Sequence, residues 1–251
     1  MKATTSRPSP QISNRTALVV FADAPIPGQV KTRLCPPLTH DEAATLHGSF
    51  VLDTLERTKT AAMKWKLPID RYLACAPPRT HVFFKIMEER QSVTLIDQVG
   101  DDLGARMNQA CTVLFSQGYR QVTLIGTDVP TLPLDHFKHA LSLLNSHDLV
   151  LGPAFNGGYY LLGLKRPTPE LFIDIPWSTD QVFSLTSEKA AKLGLTAAVL
   201  EPWRHVDTLA DLHLLIESCH AESKTPKHDR VFSNRTADVL HTLAKRLRSR
   251  A

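Results

Sequence analysis

The sequence predicts an α/β protein built on a mainly parallel, mixed central sheet. Short apolar runs rich in β-branched residues alternate with amphipathic stretches of helical length, and this alternation continues to about residue 150. After Gly152 the alternation breaks, because a second extended run follows almost without an intervening helix. The chain has 251 residues, 43% of them hydrophobic, which is enough for one sizeable core, so we expect a single main domain.

The first strand and the first helix are predicted at residues 17–22 and 41–61. The run "ALVVFA" has the continuous apolar character of a strand that is buried on both faces. Apolar residues recur at helical spacing in the second stretch, and Thr39 or Asp41 could cap its start. The same pairing of strand and helix recurs at 70–76 with 79–90, 92–97 with 102–118, and 121–126 with 133–146.

The later part of the chain is predicted to begin with two consecutive extended runs, at 148–154 and 157–165. Because almost no residues separate them, the second run is expected to be an antiparallel or edge strand. A helix at 179–194, a strand at 196–202 and a helix at 209–220 are predicted to follow.

Three regions are expected along the chain. Residues 1–16 mix Ser, Thr, Pro and Arg and predict a flexible tail, while residues 17–220 hold the main domain. Residues 221–251 predict a polar linker and a basic helix, with Val239, Leu240, Leu243 and Leu247 on one face of that helix.

Charge and cysteine content narrow the class of protein. Much of the net charge of +4 lies near the chain ends, which gives little support for nucleic-acid binding by the main domain. The cationic side of the last helix is open to two interpretations: a surface for nucleic acid or membrane, or the solvated face of a docking helix. Four widely spaced cysteines form no C-x-x-C pair and predict neither a zinc site nor a disulfide framework, so we expect a cytoplasmic protein. No stretch has the roughly 18 apolar residues of a membrane span.

The loop after the first strand is a candidate phosphate site. Pro27 and Gly28 turn the chain just before Lys31 and Arg33, and two cations at positions i and i+2 of a loop can face one anion. The alternative is a turn with solvated charges. The segment is not a Walker loop, because Val30 stands where that pattern needs glycine, and no G-x-G-x-x-G follows the first strand.

Two aspartates are candidate ligands for a hard divalent ion. Asp128 follows Thr127 in "GTDVP", directly after an apolar strand, and Asp207 precedes a helix in "WRHVDTLADL". Asp128 could instead cap the following helix or turn, and Asp207 could be a helix N-cap. If both lie at the carboxyl edge of the sheet, they can hold Mg²⁺ or Mn²⁺, which usually takes one or two protein carboxylates and completes its shell with water and phosphate oxygens.

Two further stretches are candidate substrate-binding loops. In "GPAFNGGYYLLGL" the paired glycines allow close approach of the backbone to a ligand, and at most one of the two tyrosines faces the pocket. "PWST" is a substrate-side loop or the cap of the next helix. The candidate substrate-binding residues from these loops are Asn156, Gly157, Gly158, Tyr159, Trp177, Ser178 and Thr179.

Six stretches taken together resemble the rSAM/selenodomain-associated transferase 1 family, the DUF2064 group of GT-A-type glycosyltransferase-like proteins. In chain order they are "PGQVKTRL", "DDLGARM", "GTDVP", "GPAFNGGYYLLGL", "PWST" and "VDT". The resemblance covers about residues 17–215. It implies a three-layer nucleotide-diphospho-sugar transferase (GT-A) fold, a metal held by Asp128 and Asp207, and a phosphate-facing basic segment at Lys31 and Arg33.

The chain departs from the family pattern at two positions. Asn156 stands where the family usually has aspartate before the paired glycines, and His205 stands two residues before Asp207, where an acidic residue is often found. Each exchange removes a negative charge near the expected site, whereas the asparagine carbonyl still offers an oxygen.

The residues and the resemblance together predict a metal-dependent transferase with a nucleotide or nucleotide-sugar donor and a small-molecule acceptor. Lys31, Arg33 and Asp128 are its expected catalytic residues, Pro27, Gly28 and Thr127 are expected to contact substrate, and Mg²⁺ or Mn²⁺ is the expected cofactor. Glycosyl transfer and nucleotidyl transfer both stay open. The alternatives are a nucleotide-binding module with little or no turnover and a nucleic-acid-associated protein that acts through its basic tail.

Overall fold

The structure is a computed structural model that describes residues 16–226 and 230–248. The tail expected at 1–16 lies outside the described residues, apart from Thr16, which begins the first strand. The strands are β1 (Thr16–Asp23), β2 (Ile69–Ala76), β3 (Thr94–Asp97), β4 (Gln121–Ile125), β5 (Leu149–Pro153), β6 (Tyr159–Leu164) and β7 (Ala197–Val199). The helices are α1 (His40–Trp65), α2 (Val82–Gln91), α3 (Leu103–Ser116), α4 (Leu134–Leu143), α5 (Val182–Lys192), α6 (Leu209–Glu222) and α7 (Asn234–Arg248).

Within the described residues, the strands form one mixed sheet in the order β3-β2-β1-β4-β6-β5-β7. β6 runs antiparallel to β4 and β5, and the other pairs, β1 with β2 and β4, β2 with β3, and β5 with β7, are parallel. The predicted fold class is therefore confirmed. β6 is antiparallel as predicted, but it lies inside the sheet rather than at an edge.

Helices cover both faces of the sheet, which explains the uninterrupted apolar character of β1. Side chains of a strand alternate between its faces. Val20 and Ala22 belong to one buried cluster, with residues of α1, while Ala17 and Val19 belong to another, with residues of α3. Two separate cores, one on each side of the sheet, produce the three-layer architecture.

α1 begins at a capping box, in which Thr39 and Glu42 bond reciprocally. The Thr39 hydroxyl accepts from Glu42 N at 3.2 Å, and Glu42 Oε2 accepts from Thr39 N at 2.7 Å. Of the two predicted caps, the structure selects Thr39, because only its side chain reaches the free amides of the first turn.

α7 packs on α1 and α6 with the apolar face that the sequence predicts. Leu240 and Leu243 are buried in a third cluster, against which Val239 and Leu247 also pack. Among residues 16–226 and 230–248, no helix is both long and apolar enough to cross a membrane.

Candidate active site

A cleft of about 550 Å³ opens at the carboxyl ends of the central strands, where ligands of open α/β sheets usually bind. The loop after β1 lines it from Gln29 to Arg33, Asp128 enters from the end of β4, and Asp207 enters from the segment before α6. The loop between β5 and β6 and the "PWST" loop complete its walls. The cleft therefore collects five segments that are distant in sequence.

Lys31 joins the two aspartates. Its Nζ lies 2.8 Å from Asp128 Oδ1, 3.2 Å from Asp207 Oδ1 and 2.6 Å from the carbonyl oxygen of Val206. The Lys31 side chain is only 6% exposed. The structure thus brings the two predicted metal ligands and one predicted phosphate ligand into direct contact.

The backbone of the β1 loop directs Lys31 inward. Gln29 N donates to Ile26 O at 3.0 Å and closes a turn in which Gly28 has a φ of 80°, a conformation that favours glycine. Lys31 itself is left-handed, with φ 49° and ψ 34°, and leads into a 3-10 helix whose Leu34 is buried. A non-glycine residue in this region costs on the order of 1 kcal/mol, so the surrounding contacts hold Lys31 in place.

Neither aspartate caps a helix, so the alternative of a helix cap is wrong for both. Thr208 caps α6 in a box with Asp211, and α4 begins after Pro133 rather than at Asp128. Val206 N donates to the carbonyl oxygen of Asp128 at 3.0 Å and ties the two loops together. Both carboxylates are therefore available to the cleft.

The two residues that depart from the family pattern surround Asp207. Asn156 Nδ2 donates to Asp207 Oδ2 at 2.8 Å, and His205 Nδ1 lies 3.6 Å from the same oxygen. Burial acts to raise the pKa of Asp207, but His205 and the Lys31 ammonium outweigh it and hold the pKa well below its usual value. Asn156 and His205 thus stabilise the ionised form of this carboxylate.

Two glycines allow the substrate-side loops to pack closely. A Cβ at Gly157, where φ is 84°, would lie 2.0 Å from the carbonyl oxygen of Asp180. A Cβ at Gly104, in the first turn of α3, would lie 2.4 Å from the ring of Trp177. Trp177 also meets Tyr159 edge to face at 6.4 Å. The "NGG" and "PWST" stretches are therefore positioned by direct backbone and ring contacts.

The other predicted residues fall into two groups. Arg33, Gly158, Tyr159, Ser178 and Thr179 line the cleft, and Thr127 is buried and lines an adjoining cavity of about 410 Å³. Pro27 and Gly28, which were predicted to contact substrate, do not line either cavity. They form the turn that precedes Lys31 and Arg33. Tyr160, as expected for a strand, lies on the opposite face of β6 from Tyr159 and does not line the cleft, although it borders the adjoining cavity.

Sequence reasoning missed a second group of polar residues at the floor of the site. Asp23 ends β1 and lines both cavities, and His47 from α1 bonds through Nε2 to the carbonyl oxygen of Asp23 at 2.9 Å. Gln98 Nε2 donates to the carbonyl oxygens of Ala22 and Ala74 at 3.2 and 3.0 Å. Burial, with a contribution from the charge of Asp128, raises the pKa of Asp23 against the opposing charges of His47, Arg106 and Lys31. The signal for Asp23 was present, because it follows an apolar strand as Asp128 does.

The carboxylates of Asp128 and Asp207 are suitable ligands for a magnesium or manganese ion, provided that Lys31 moves. Two carboxylates match the protein ligands that Mg²⁺ uses in sites completed by phosphate and water. Within residues 16–226 and 230–248, no group of three or more His, Cys, Asp and Glu side chains has the arrangement of a metal site. The Lys31 ammonium lies between Asp128 and Asp207, so it would have to leave at least one carboxylate for an ion to take that place.

A larger cavity, of about 1030 Å³, lies at the opposite, amino edge of the sheet. It is bounded by the starts of β1, β2 and β4, at Thr16, Ile69 and Gln121. Among the residues that the structure describes, no aspartate or glutamate lines this cavity, so it lacks the paired carboxylates of the smaller cleft.

The comparisons with known proteins identify the family. Residues 59–179 match the family described as "Uncharacterized protein conserved in bacteria (DUF2064)". The chain is 31% identical to a crystal structure from Desulfovibrio desulfuricans G20 named a "putative nucleotide-diphospho-sugar transferase", with 94% of this chain and 98% of that chain covered and a TM-score of 0.80. The chain belongs to the DUF2064 family. The family predicted from the sequence is thereby confirmed.

More distant structures share the fold of this DUF2064 protein. A CMP:2-keto-3-deoxy-manno-octonic acid synthetase complexed with CTP has a TM-score of 0.52, with 83% of this chain and 99% of that chain covered. A cytidylyltransferase from Leptospira borgpetersenii serovar Hardjo-bovis has a TM-score of 0.53, with coverage of 93% and 95%. Both are 12% identical to the chain, and at that level they show the fold alone. Among curated proteins, none matches the chain.

Proposed function

We propose that this protein is a metal-dependent transferase that uses a nucleotide or nucleotide-sugar donor. The observation that carries the proposal is the meeting of Asp128, Asp207 and Lys31 in one cleft at the carboxyl edge of the sheet. The names of the similar structures support the class of donor, since one is a nucleotide-diphospho-sugar transferase by name and another holds CTP.

Each charged residue has a distinct role in this proposal. Asp128 and Asp207 hold Mg²⁺ or Mn²⁺, which supplies positive charge to the phosphate oxygens when bound. Lys31 and Arg33 neutralise the charge that develops on the leaving phosphate. Arg33 is already exposed toward the cleft and forms no ion pair within the part of the chain that the structure describes.

The loops on the far wall of the cleft supply the acceptor side. Asn156 and Gly158 come from the β5–β6 loop, and Tyr159 and Trp177 add an aromatic wall beside Ser178. Two reactions suit this site. An acceptor phosphate can attack the α-phosphorus and expel pyrophosphate, or an acceptor can attack the sugar carbon and expel a nucleoside diphosphate.

The first test is a thermal-shift panel of nucleotides and nucleotide-sugars with Mg²⁺, with Mn²⁺ and with EDTA. A ligand at 100 times its dissociation constant stabilises the native state by about 2.7 kcal/mol. For a domain of this size that corresponds to a rise in melting temperature of roughly 5–10 °C. We expect this rise only when metal and nucleotide are both present, and we expect Asp128→Asn to abolish it. An equal rise in Asp128→Asn would exclude the proposed ion site.

Product analysis with the stabilising nucleotide then distinguishes the two reactions and the non-catalytic alternative. Release of pyrophosphate identifies nucleotidyl transfer, and release of a nucleoside diphosphate identifies glycosyl transfer. The binding module without turnover is favoured by Asn156 and His205, which stand in place of acidic residues beside Asp207. Metal-dependent nucleotide binding without either product across a panel of acceptors would support that alternative. The cytoplasmic location stays a prediction.

A further inference from the structure

The Lys31 ammonium has close protein partners on three sides. Its Nζ donates hydrogen bonds to Asp207 Oδ1 at 3.2 Å and to the carbonyl oxygen of Val206 at 2.6 Å, and it forms an ion pair with Asp128 Oδ1 at 2.8 Å. Since the side chain is 6% exposed, little of it faces the cleft. In this arrangement Lys31 cannot also bind a phosphate, in contrast to the exposed Arg33 of the same loop.

The carboxylates are engaged in the same way. Asp128 and Asp207 both direct Oδ1 to Lys31, and the other oxygen of Asp207 accepts from Asn156 Nδ2 at 2.8 Å. If a divalent ion lay between the two aspartates while the ammonium kept its present position, two positive charges would be in contact. One of the two cations must therefore be absent from the space between the carboxylates.

We propose that Lys31 is a resident counter-ion that a divalent metal displaces, and that the phosphates of the donor then receive the displaced ammonium. This proposal rests on the proposed function. The proposal makes the binding of metal and the binding of phosphate depend on each other. Metal alone must displace an ammonium that has three partners, and phosphate alone meets two carboxylates whose ammonium is already bound to them. With both ligands present, each carboxylate faces the metal and the ammonium faces phosphate.

The lysine side chain suits this exchange. Its charge is a compact ammonium on a flexible four-carbon stem, so it can move between neighbouring oxygens without a change in the backbone. The backbone beside it is fixed, because the following 3-10 helix buries Leu34 in the core. Thermodynamic linkage requires the coupling to be reciprocal, and coupling between sites typically changes affinity by 5- to 150-fold.

The decisive experiment measures Mn²⁺ alone, by the electron paramagnetic resonance signal of the free ion, with the full-length protein. Lys31→Met removes the charge and keeps a side chain of similar length, and we expect it to bind Mn²⁺ about tenfold more tightly than wild type. Lys31→Gln should give the same gain. Lys192→Met is the control, since it removes an exposed cation at the end of α5, outside the cleft, and its Mn²⁺ affinity should equal that of wild type.

The reverse experiment measures inorganic pyrophosphate in EDTA by calorimetry. Asp128→Asn releases Lys31 from one carboxylate, so we expect pyrophosphate to bind several-fold more tightly than to wild type. Glu89→Gln, which removes an exposed carboxylate of α2, should change nothing.

The outcomes separate this inference from the function on which it rests. If wild type binds Mn²⁺ and neither Lys31 variant binds it more tightly, the resident counter-ion is disproved and the proposed transferase site stands. If wild type and both Lys31 variants fail to bind Mn²⁺, and nucleotide stabilisation is independent of metal, both proposals fail. Far-ultraviolet circular dichroism confirms folding of each variant, so a null result cannot come from an unfolded protein.

Discussion

Two clusters of acidic and cationic side chains in this molecule differ in how completely their members are paired. The site cluster consists of Lys31, Asp128 and Asp207. The second, the α7 clamp, consists of Asp53 and Glu56 on α1 with Arg235 and Thr236 on α7. In the α7 clamp every contact has its own donor: Arg235 Nη1 reaches Asp53 Oδ1 at 2.9 Å, and Thr236 Oγ1 donates to Asp53 Oδ2 at 2.6 Å.

The site cluster is less fully paired. Two carboxylates share one ammonium there, and Asp128 Oδ1 accepts no hydrogen bond from any residue that the structure describes, although it lies 2.8 Å from Lys31 Nζ. The site cluster also opens into a cleft of about 550 Å³, whereas the Asp53 side chain is 4% exposed. The comparison shows two uses of paired charges. A buried carboxylate whose oxygens all have donors holds two helices together, whereas two carboxylates that share one ammonium at a cleft have negative charge left for a ligand.

The largest expected effect is on the α7 clamp. Asp53→Asn should lower the free energy of unfolding by about 2–3 kcal/mol, because it breaks a buried ion pair and two hydrogen bonds to a charged group. Chemical denaturation measures this loss. Glu56→Gln is the control: Glu56 meets the same guanidinium but is 44% exposed, and we expect it to cost no more than about 0.5 kcal/mol. Equal losses in the two variants would contradict the distinction between buried and exposed ends of the clamp.

The next effect adds charge to the site cluster. Asn156→Asp places a third carboxylate beside Asp207 Oδ2, in place of an amide donor 2.8 Å away. We expect Mn²⁺ to bind on the order of tenfold more tightly, about 1.4 kcal/mol, because a further hard oxygen ligand faces the ion. Without metal, the variant should melt at a lower temperature, since repulsion replaces a hydrogen bond. Asn145→Asp, at the amino edge of the sheet, is the control, and an equal gain there would mean that the effect is only one of net charge.

A smaller effect compares the two clusters directly. In the absence of ligands, Asp128→Asn should change the free energy of unfolding by less than about 1 kcal/mol, because Lys31 keeps Asp207 and the carbonyl oxygen of Val206 as partners. The same denaturation experiment measures it beside Asp53→Asn. A loss as large as that of Asp53→Asn would show that the site cluster is a structural pair like the clamp.

The smallest expected effect is on the pH dependence of stability and concerns His136, a partly buried histidine outside both clusters. His136 contacts Tyr160 and Trp203, and burial, only partly opposed by the charge of Glu201, lowers the pKa of its ring from the ordinary 6.5. The unfolded chain therefore takes up a proton first as pH falls. Stability that is present above pH 6.5 should be lost as pH falls through and below that value.

Melting temperatures between pH 8 and pH 5 measure this dependence. His136→Gln should flatten the part of the slope near pH 6.5, whereas His213→Gln, which changes an exposed histidine of α6, should leave it unchanged. An unchanged slope in His136→Gln would assign the pH dependence to other groups.

Much of the fold followed from the sequence because its signals are local. Alternating runs with periods of two and 3.6 predict strands and helices whatever lies beside them, and the switch after Gly152 predicted the antiparallel β6. The position of β6 inside the sheet could not be predicted, since strand order depends on which edges meet in space. Asp23 was missed although it follows an apolar strand as Asp128 does; only its contact with His47, which comes from a different element, depends on the tertiary structure.

For this protein, the sequence by itself determined the α/β class, the family and the two aspartates that end up in one cleft. Residue type, spacing and the order of short motifs are properties of the chain, so they can be recognised without a structure. Only the tertiary structure decided that Lys31 lies between Asp128 and Asp207, that Asn156 holds the outer oxygen of Asp207, and that Pro27 and Gly28 stand outside the cleft. These are contacts between segments up to 176 residues apart, and they depend on the direction of each side chain, which no local pattern encodes.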